Sequence, residues 1–301
     1  MGVLLIVAAA MTWGTTGATM KLVAAVSPVS PLLVGLMRVT IAAPCLCLAA
    51  LWLGEELRLP APGDRSRILL AGLAMGAFQA CYFWGVAMTS VAIGSLIAIC
   101  SAPLLITVLA GPFLGERIDG LTWAALAMGT SGGALLTAGP HGLGPIRPGF
   151  LAGVALALGA GLSYAVYAVL VKDVVRRVPP LGLAALTFSV SALSLLPVLV
   201  LERPVADVRA WGLLAYLGVV PTAVAYIAYL FGLRTTSVTV AGVLTLVEPL
   251  TATLLGVLFF GDRLGLAGAV GAALLASAVL WLMTRRSPAP LPRAAGTGTS
   301  P

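Results

Sequence analysis

The sequence predicts an all-α membrane protein of ten transmembrane helices, built as two inverted five-helix repeats. Three observations carry that reading. First, 60% of the 301 residues are hydrophobic and 9% charged, against about 25% charged in a soluble domain, and the mean hydropathy is +1.09. So few charges cannot cover a water-facing surface. Second, the apolar runs last roughly 20 residues, the length a helix needs to cross a bilayer, where a barrel would show alternating segments of about ten. Third, the second half of the chain repeats the pattern of the first.

The runs predict helices over about 3–25, 32–53, 68–88, 93–114, 121–138, 149–171, 181–201, 210–232, 239–260 and 265–284. The first has no basic leader and stays apolar to about Met20, so it reads as a helix and not as a cleaved signal peptide. The second carries Arg38, and the third Gln79 and Tyr82. The fourth holds Pro103, and the fifth the small-residue pair Gly129/Gly133, which matches Gly72/Gly76 of the third as a close-packing signal. The sixth carries Tyr164 and Tyr167, the eighth Tyr226 and Tyr229, and the ninth Glu248 followed by Pro249. The domain plan is a first repeat over 1–138, a Gly/Pro-rich linker "GPHGLGPIRP" over 139–148, a second repeat over 149–284, and a disordered cytoplasmic tail over 285–301.

The repeat is explicit. "GVAMTSVAIGSLIAICSAPLLITVLAGPFLGER" runs from Gly85 to Arg117, and "GLRTTSVTVAGVLTLVEPLTATLLGVLFFGDR" from Gly232 to Arg263. Thr89-Ser90-Val91 aligns with Thr236-Ser237-Val238, and, after a one-residue gap, Pro103 with Pro249. In each copy an acid and an arginine follow the proline at the same distance, Glu116-Arg117 and Asp262-Arg263. Tyr82 matches Tyr229 and Gln79 matches Tyr226. Trp13 precedes Lys21 by eight residues, as Tyr164 precedes Lys172. Five crossings per half is an odd number, so the second half enters from the opposite side. Folds of this kind place binding sites near the midplane, beside interrupted helices.

Orientation follows the arginines and lysines. With the N-terminus cytoplasmic, the inner segments hold Arg58, Arg65, Arg67, Arg117, Lys172, Arg176, Arg177, Arg234, Arg285, Arg286 and Arg293. The outer ones hold Lys21, Arg147, Arg203, Arg209 and Arg263. That excess places both termini inside a bacterial-type inner (plasma) membrane. The net charge of +7 lies in gaps between apolar runs and forms no basic stripe, so nucleic acid is not an expected partner. The cysteines Cys45, Cys47, Cys81 and Cys100 form no C-x-x-C pair and lie in apolar runs, which reads as inert thiols. With His141 the one histidine, and placed in the linker, no metal or other cofactor is expected.

The residues expected to line a substrate cavity are Trp13, Gln79, Tyr82, Tyr164, Tyr167, Tyr226, Tyr229 and Glu248. Their polar tips lie too deep for an interfacial belt and need partners. Glu248 costs about 2.5–3.5 kcal/mol at such a depth; it reads as a ligand for a substrate ammonium, as a proton-coupling acid, or as an interhelical hydrogen-bond partner. Ala102 occupies the matching place in the first repeat. Pro103 and Pro249 each free a carbonyl one turn back, on Ile99 and Thr245, and are expected to kink their helices. Arg38 either snorkels, pairs structurally, or binds a substrate carboxylate. Lys21 and Lys172 read as interfacial anchors.

The ten spans, the duplication, "AMTWGTTGATMKL", "SAPLLITVLAGPFLGER" and "VEPLTATLLGVLFFGDR" resemble the drug/metabolite transporter superfamily, EamA type, over about residues 3 to 284. Asp262 departs from the glutamate more usual there. The resemblance implies a secondary-active exporter of small organic metabolites such as amino acids, amines or drugs, working by alternating access. It leaves substrate, direction, coupling ion and oligomeric state open. A lipid or lipid-linked sugar flippase is the alternative, predicting a groove open to acyl chains. A membrane-embedded enzyme is a further one, for which the sequence offers no nucleophile-base cluster, no P-loop and no H-E-x-x-H.

Overall fold

The computed structural model describes residues 1–55, 60–138, 149–202 and 207–284. The expected linker with His141, and the expected tail, lie outside the described residues. The helices are α1 (Gly2–Val26), α2 (Pro31–Trp52), α3 (Pro62–Met88), α4 (Val91–Leu114), α5 (Gly120–Ala138) and α6 (Phe150–Val174). Then come α7 (Pro180–Leu195, resumed as Val198–Leu201) and α8 (Val208–Gly218, a π-helical stretch Val219–Val224, then Ala225–Leu233). Last are α9 (Val238–Leu244 and Val247–Phe260) and α10 (Leu266–Thr284). Among the described residues nine spans are long and apolar enough to cross a membrane. The tenth helix, α5, is as long as α10, but its glycines and threonines dilute its hydropathy.

The motifs that mark the repeat are helix boundaries. Ser90 and Ser237 are N-caps: their side-chain oxygens accept from Ile93 N–H at 3.2 Å and Val240 N–H at 3.3 Å. Gly115 and Gly261 end α4 and α9 in the left-handed region, at φ 68° and 69°. The next residue's N–H then reaches six positions back, Glu116 to Ala110 at 3.3 Å and Asp262 to Gly256 at 3.1 Å, closing the same C-terminal motif twice. α3 begins six residues before the predicted start. Pro62 sits in its first turn, and Asp64, Arg65 and Arg67 carry it past the apolar run. There Arg177 Nη2 lies 2.8 Å from Asp64 and 3.0 Å from Asp173, and Arg67 Nε 2.9 Å from Asp173. These carboxylates, Asp64 foremost, hold the Arg177 guanidinium above its usual pKa.

Packing reproduces the duplication. α1 lies on α8 and α9, and α6, its counterpart, lies on α3 and α4; α2 meets α7, and α5 meets α10. Every one of these pairs survives exchange of a helix for the one five places on, as an in-plane twofold requires. Atomic detail agrees. A Cβ on Gly132 would sit 2.7 Å from Leu275 N, and one on Gly271 2.6 Å from Leu136 N, the same close approach seen from either half.

The tryptophans sort by depth. Trp52, Trp84, Trp123, Trp211 and Trp281 lie within a turn or so of helix ends and are exposed, forming the interfacial belts of a membrane protein. Trp13 is mid-helix and 5% exposed. It points to the centre.

Candidate functional site

A cavity of about 60 Å³ lies at that centre, lined by Trp13 and Thr16 of α1, Arg38 of α2, Phe78 and Tyr82 of α3, Ala98, Ile99 and Ala102 of α4, Tyr164 of α6, Tyr226 of α8, and Thr245 and Glu248 of α9. The volume suits a few water molecules. Both halves contribute to the ring.

Two irregular backbones shape it. Pro249 cannot donate to the Thr245 carbonyl, and the Glu248 N–H takes that oxygen instead, at 3.0 Å. Leu246 N–H turns to Val243 O at 3.1 Å, so α9 stops at Leu244 and restarts at Val247. Glu248 therefore occupies the first turn of the second segment, where the positive end of the helix dipole favours a carboxylate. The carbonyl expected to be free on Thr245 is thus occupied. Pro103 behaves differently, standing inside an unbroken α4.

The second irregularity is in α8. Pro221 has no N–H to offer Leu217 O. The Thr222 hydroxyl donates to that carbonyl at 2.6 Å, within the π-helical stretch. The same hydroxyl oxygen accepts from Arg38 Nε at 3.2 Å. Arg38 is 7% exposed and turns into the bundle; it does not reach for the headgroups.

Of the eight residues expected to line a cavity, Trp13, Tyr82, Tyr164, Tyr226 and Glu248 do so. Gln79, Tyr167 and Tyr229 are buried but stand outside the lining. Trp13 is the hub of the aromatic cluster, its ring centroid 4.9 Å from Tyr226, 5.4 Å from Tyr229 and 6.3 Å from Tyr164. Tyr82 shares a 2.7 Å hydrogen bond with Ser95 and stacks on Phe78 at 5.8 Å. Sequence reasoning missed Thr16 and Phe78, named Thr245 only for its backbone carbonyl, and left Arg38 open. Phe78 and Thr16 had a signal, each lying three or four residues from a named candidate on the same helix face. The Arg38–Thr222 contact had none.

The two ends of the bundle differ. Glu116 Oε1 accepts from Val238 N–H at 2.8 Å, and Oε2 from Thr239 N–H at 3.2 Å and the Thr239 hydroxyl at 2.9 Å. The end of α4 is thereby tied to the start of α9. Close by, Lys172 is buried, its Nζ donating to Leu233 O and Thr236 O, both at 2.6 Å. It uses carbonyls that the end of α8 leaves unpaired and is not an interfacial anchor. The counterparts, Asp262 and Lys21, make one 3.4 Å ion pair and keep 43% and 56% of their side chains exposed. Since Val238 opens α9 and Asp262 follows its far end, Glu116 and Asp262 lie at opposite ends of the bundle.

Comparisons with known proteins agree with this architecture. The model of the EamA-like transporter family matches residues 1–138 and 151–284. The chain is 34% identical over 275 residues to "Uncharacterized transporter YwfM" of Bacillus subtilis (strain 168), covering 90% of each. It is 32% identical over 220 residues to an "Uncharacterized transporter" of Archaeoglobus fulgidus, covering 72% of this chain and 77% of that one. It is 30% identical over 260 residues to the "Probable terminal-alkyne amino-acid exporter" of Streptantibioticus cattleyicolor, covering 84% and 83%. A solved crystal structure superposes with TM-score 0.80 at 26% identity, covering 94% of this chain and 96% of its own.

Proposed function

This chain belongs to the EamA-like transporter family, a multi-pass membrane protein, and from that premise we propose that it is a secondary-active exporter of small organic metabolites. The observation that carries the reading is the central cavity, walled by aromatic rings and by Glu248, at the junction of two inverted halves. The interruption of α9 beside Glu248 and the π-helical stretch of α8 are the irregular backbone that such sites use. Trp13, Tyr82, Tyr164 and Tyr226 form the apolar walls, with Gln79, Tyr167 and Tyr229 supporting them from behind. Glu248 meets a cationic group of the solute and is the candidate for proton coupling. No catalytic residue enters this reading.

Alternating access is supported by the unequal ends. One end is latched by Glu116 and Lys172; the matching groups at the other are loosely held. With the N-terminus in the cytoplasm of a bacterial-type cell, the latched end is the inner one and the protein stands outward-facing. A ring of lining residues from α1, α2, α3, α4, α6, α8 and α9 suits an enclosed solute better than an acyl chain. In this plan residues 1–138 and 149–284 are the two moving repeats.

The test is flux. Purified protein in liposomes, loaded with pooled small metabolites under an imposed proton gradient, is expected to release a subset of them faster than protein-free liposomes. Cells with and without the protein supply the same comparison in vivo. Equal release in both systems across amines, amino acids and nucleosides would remove the reading.

A further inference from the structure

A second cavity, of about 420 Å³, opens at the end of the bundle where α1 begins. It is lined by the first turn of α1, by Thr235 and Thr236 between α8 and α9, and by Met283 near the end of α10. Leu5 N–H makes the first bond inside α1, to Met1 O at 3.2 Å, and no side chain caps the helix. The N–H groups of Gly2, Val3 and Leu4 therefore lack intrahelical partners, with the positive end of the helix dipole behind them. Beside them is a hydroxyl in the same condition. Thr236 is 2% exposed and lines the cavity, and its Oγ1 makes no hydrogen bond among the described residues. A Cβ on Gly2 would sit 2.7 Å from that oxygen and closer still to Thr235 Oγ1, so a glycine is what lets the helix start meet the two hydroxyls. The other repeat shows the alternative open to this threonine. Thr89, which aligns with Thr236, donates to Gly85 O at 2.7 Å, and Gly85 aligns with Gly232. Thr236 does not close the matching bond to Gly232; Thr235, whose counterpart is Met88, stands 3.5 Å from that carbonyl instead. A buried hydroxyl turned away from its own helix, toward a cavity rimmed with free amides, calls for a ligand that accepts hydrogen bonds.

The local charge suits an anion. Lys172 Nζ lies 2.6 Å from the Thr236 carbonyl, and the exposed Arg234 directly precedes the two threonines. The carboxylate of this end, Glu116, is already committed to Val238 and Thr239. Free helix amides, hydroxyl donors and a positive field together form the donor set of a phosphate site. The rest of the rim is apolar: Met1, Val3, Leu4 and Met283, with Leu4 59% exposed on the outer face of α1. A phosphate on the donors and ester carbons on this rim are the two parts of a phospholipid headgroup. We propose that the cavity binds the phosphate of an anionic phospholipid, in the inner leaflet when the N-terminus is cytoplasmic, through the amides of Gly2, Val3 and Leu4 and the hydroxyls of Thr235 and Thr236. The bound phosphate ties the start of α1 to the Thr235–Thr236 turn. That turn also holds Lys172, and the residues after it hold Glu116, so the lipid strengthens the latched end. The site itself is independent of the solute; only its effect on the latch rests on the transporter reading.

Three probes decide it, applied to the full chain purified in an uncharged detergent and stripped of lipid: dioleoyl phosphatidylglycerol, dioleoylglycerol, which has the same chains and no phosphate, and inorganic phosphate. Binding is read by native mass spectrometry and by thermal stabilisation, and its place by amide hydrogen exchange. The wild type is expected to bind phosphatidylglycerol about tenfold or more tightly than either other probe, and the lipid to slow exchange over residues 2–6 and 235–240. Thr236→Val keeps the shape and removes the donor. It should weaken phosphatidylglycerol about tenfold, the range of a lost hydrogen bond to a charged group, and Thr236→Ser should restore it, a pattern that loss of fold does not give. Thr89→Val, at the counterpart whose hydroxyl is spent on Gly85, should leave lipid binding unchanged. The proposal is overturned if dioleoylglycerol binds as tightly as phosphatidylglycerol, or if Thr236→Val binds the lipid as the wild type does. Inorganic phosphate binding as tightly as the lipid, and lost in Thr236→Val, would keep the phosphate site and overturn the lipid as its source. None of these readouts needs transport, so absence of flux in liposomes would strike the exporter reading and leave this site standing.

Discussion

Glu116 caps Val238: a carboxylate just past the end of α4 accepts the first N–H of α9 at 2.8 Å. The helix beginning at Val238 would otherwise present its unpaired amide groups to the bundle end, so the contact both caps a helix and joins two halves of the protein. Charge-assisted bonds of this kind contribute about 1.5–3 kcal/mol where shielded, and less at a part-buried position. Glu116→Ala is therefore expected to speed amide hydrogen exchange over residues 238–244 about tenfold, with Glu116→Gln between it and the wild type. Exchange over α4 should not change. Equal protection in all three proteins would show that the carboxylate does not hold this end.

The twofold relation extends this to a second state. In it Asp262 is expected to accept from the backbone N–H groups of Val91 and Ala92 at the start of α4, as Glu116 now accepts from those of Val238 and Thr239, while Lys21 reaches the carbonyls of Val86 and Thr89 as Lys172 now reaches those of Leu233 and Thr236. Cysteine pairs test the exchange in a chain freed of its native cysteines. Glu116→Cys with Ser237→Cys should cross-link at rest, and Asp262→Cys with Ser90→Cys only during turnover. Each bond should stop flux, and reduction should restore it. Simultaneous formation of both bonds in one molecule would contradict the exchange.

Much of this was legible in the sequence because it is local. Apolar length sets the spans, and Ser90, Ser237, Gly115 and Gly261 mark their ends by cap chemistry confined to a few residues. What stayed hidden depends on distant contacts or on conformational state. Arg38 is aimed by a hydroxyl 184 residues away, on a helix turn whose π geometry follows from Pro221. The apolar run over 181–201 does carry a visible breaker, Pro197, inside what reads as one continuous span; the helix stops at Leu195 and resumes at Val198. Lys21 and Lys172 occupy equivalent places in the repeat, yet one is exposed and the other buried. That difference belongs to which end is closed, and two equivalent lysines cannot encode it.

Gly14 offers a test of the seam between α1 and α9. A Cβ there would lie 2.7 Å from the Glu248 carbonyl oxygen and 2.6 Å from Thr251 Cβ, too close for backbone and a branched side chain to yield cheaply. Gly17, one turn on, has nothing within 4 Å. In a helix interior, glycine to alanine otherwise stabilises by about 0.5–1 kcal/mol. Gly14→Ala should lower the melting temperature and transport together, and Gly17→Ala should raise or preserve the former. Identical behaviour of the two would show that α1 shifts freely over Glu248 and that the seam does not set the position of the acid.

Glu248 carries two separable roles, and its variants divide them. As a ligand for an ammonium group it needs a negative charge whenever the solute is bound; as a coupling acid it must exchange that charge for a proton once per cycle. Glu248→Gln removes both, retaining shape and hydrogen-bonding capacity in the first turn of the second α9 segment. Glu248→Asp keeps both and shortens the reach. If the acid couples, flux by the wild type is driven by an imposed proton gradient and varies with pH, whereas Glu248→Gln carries solute only down its own gradient, with a flat pH profile. If it only binds, Glu248→Gln raises the half-saturating solute concentration about 10-fold or more but leaves the response to the proton gradient intact. Unchanged flux, affinity and pH profile in Glu248→Gln would assign the residue to helix packing, where Ala102 stands in the other repeat.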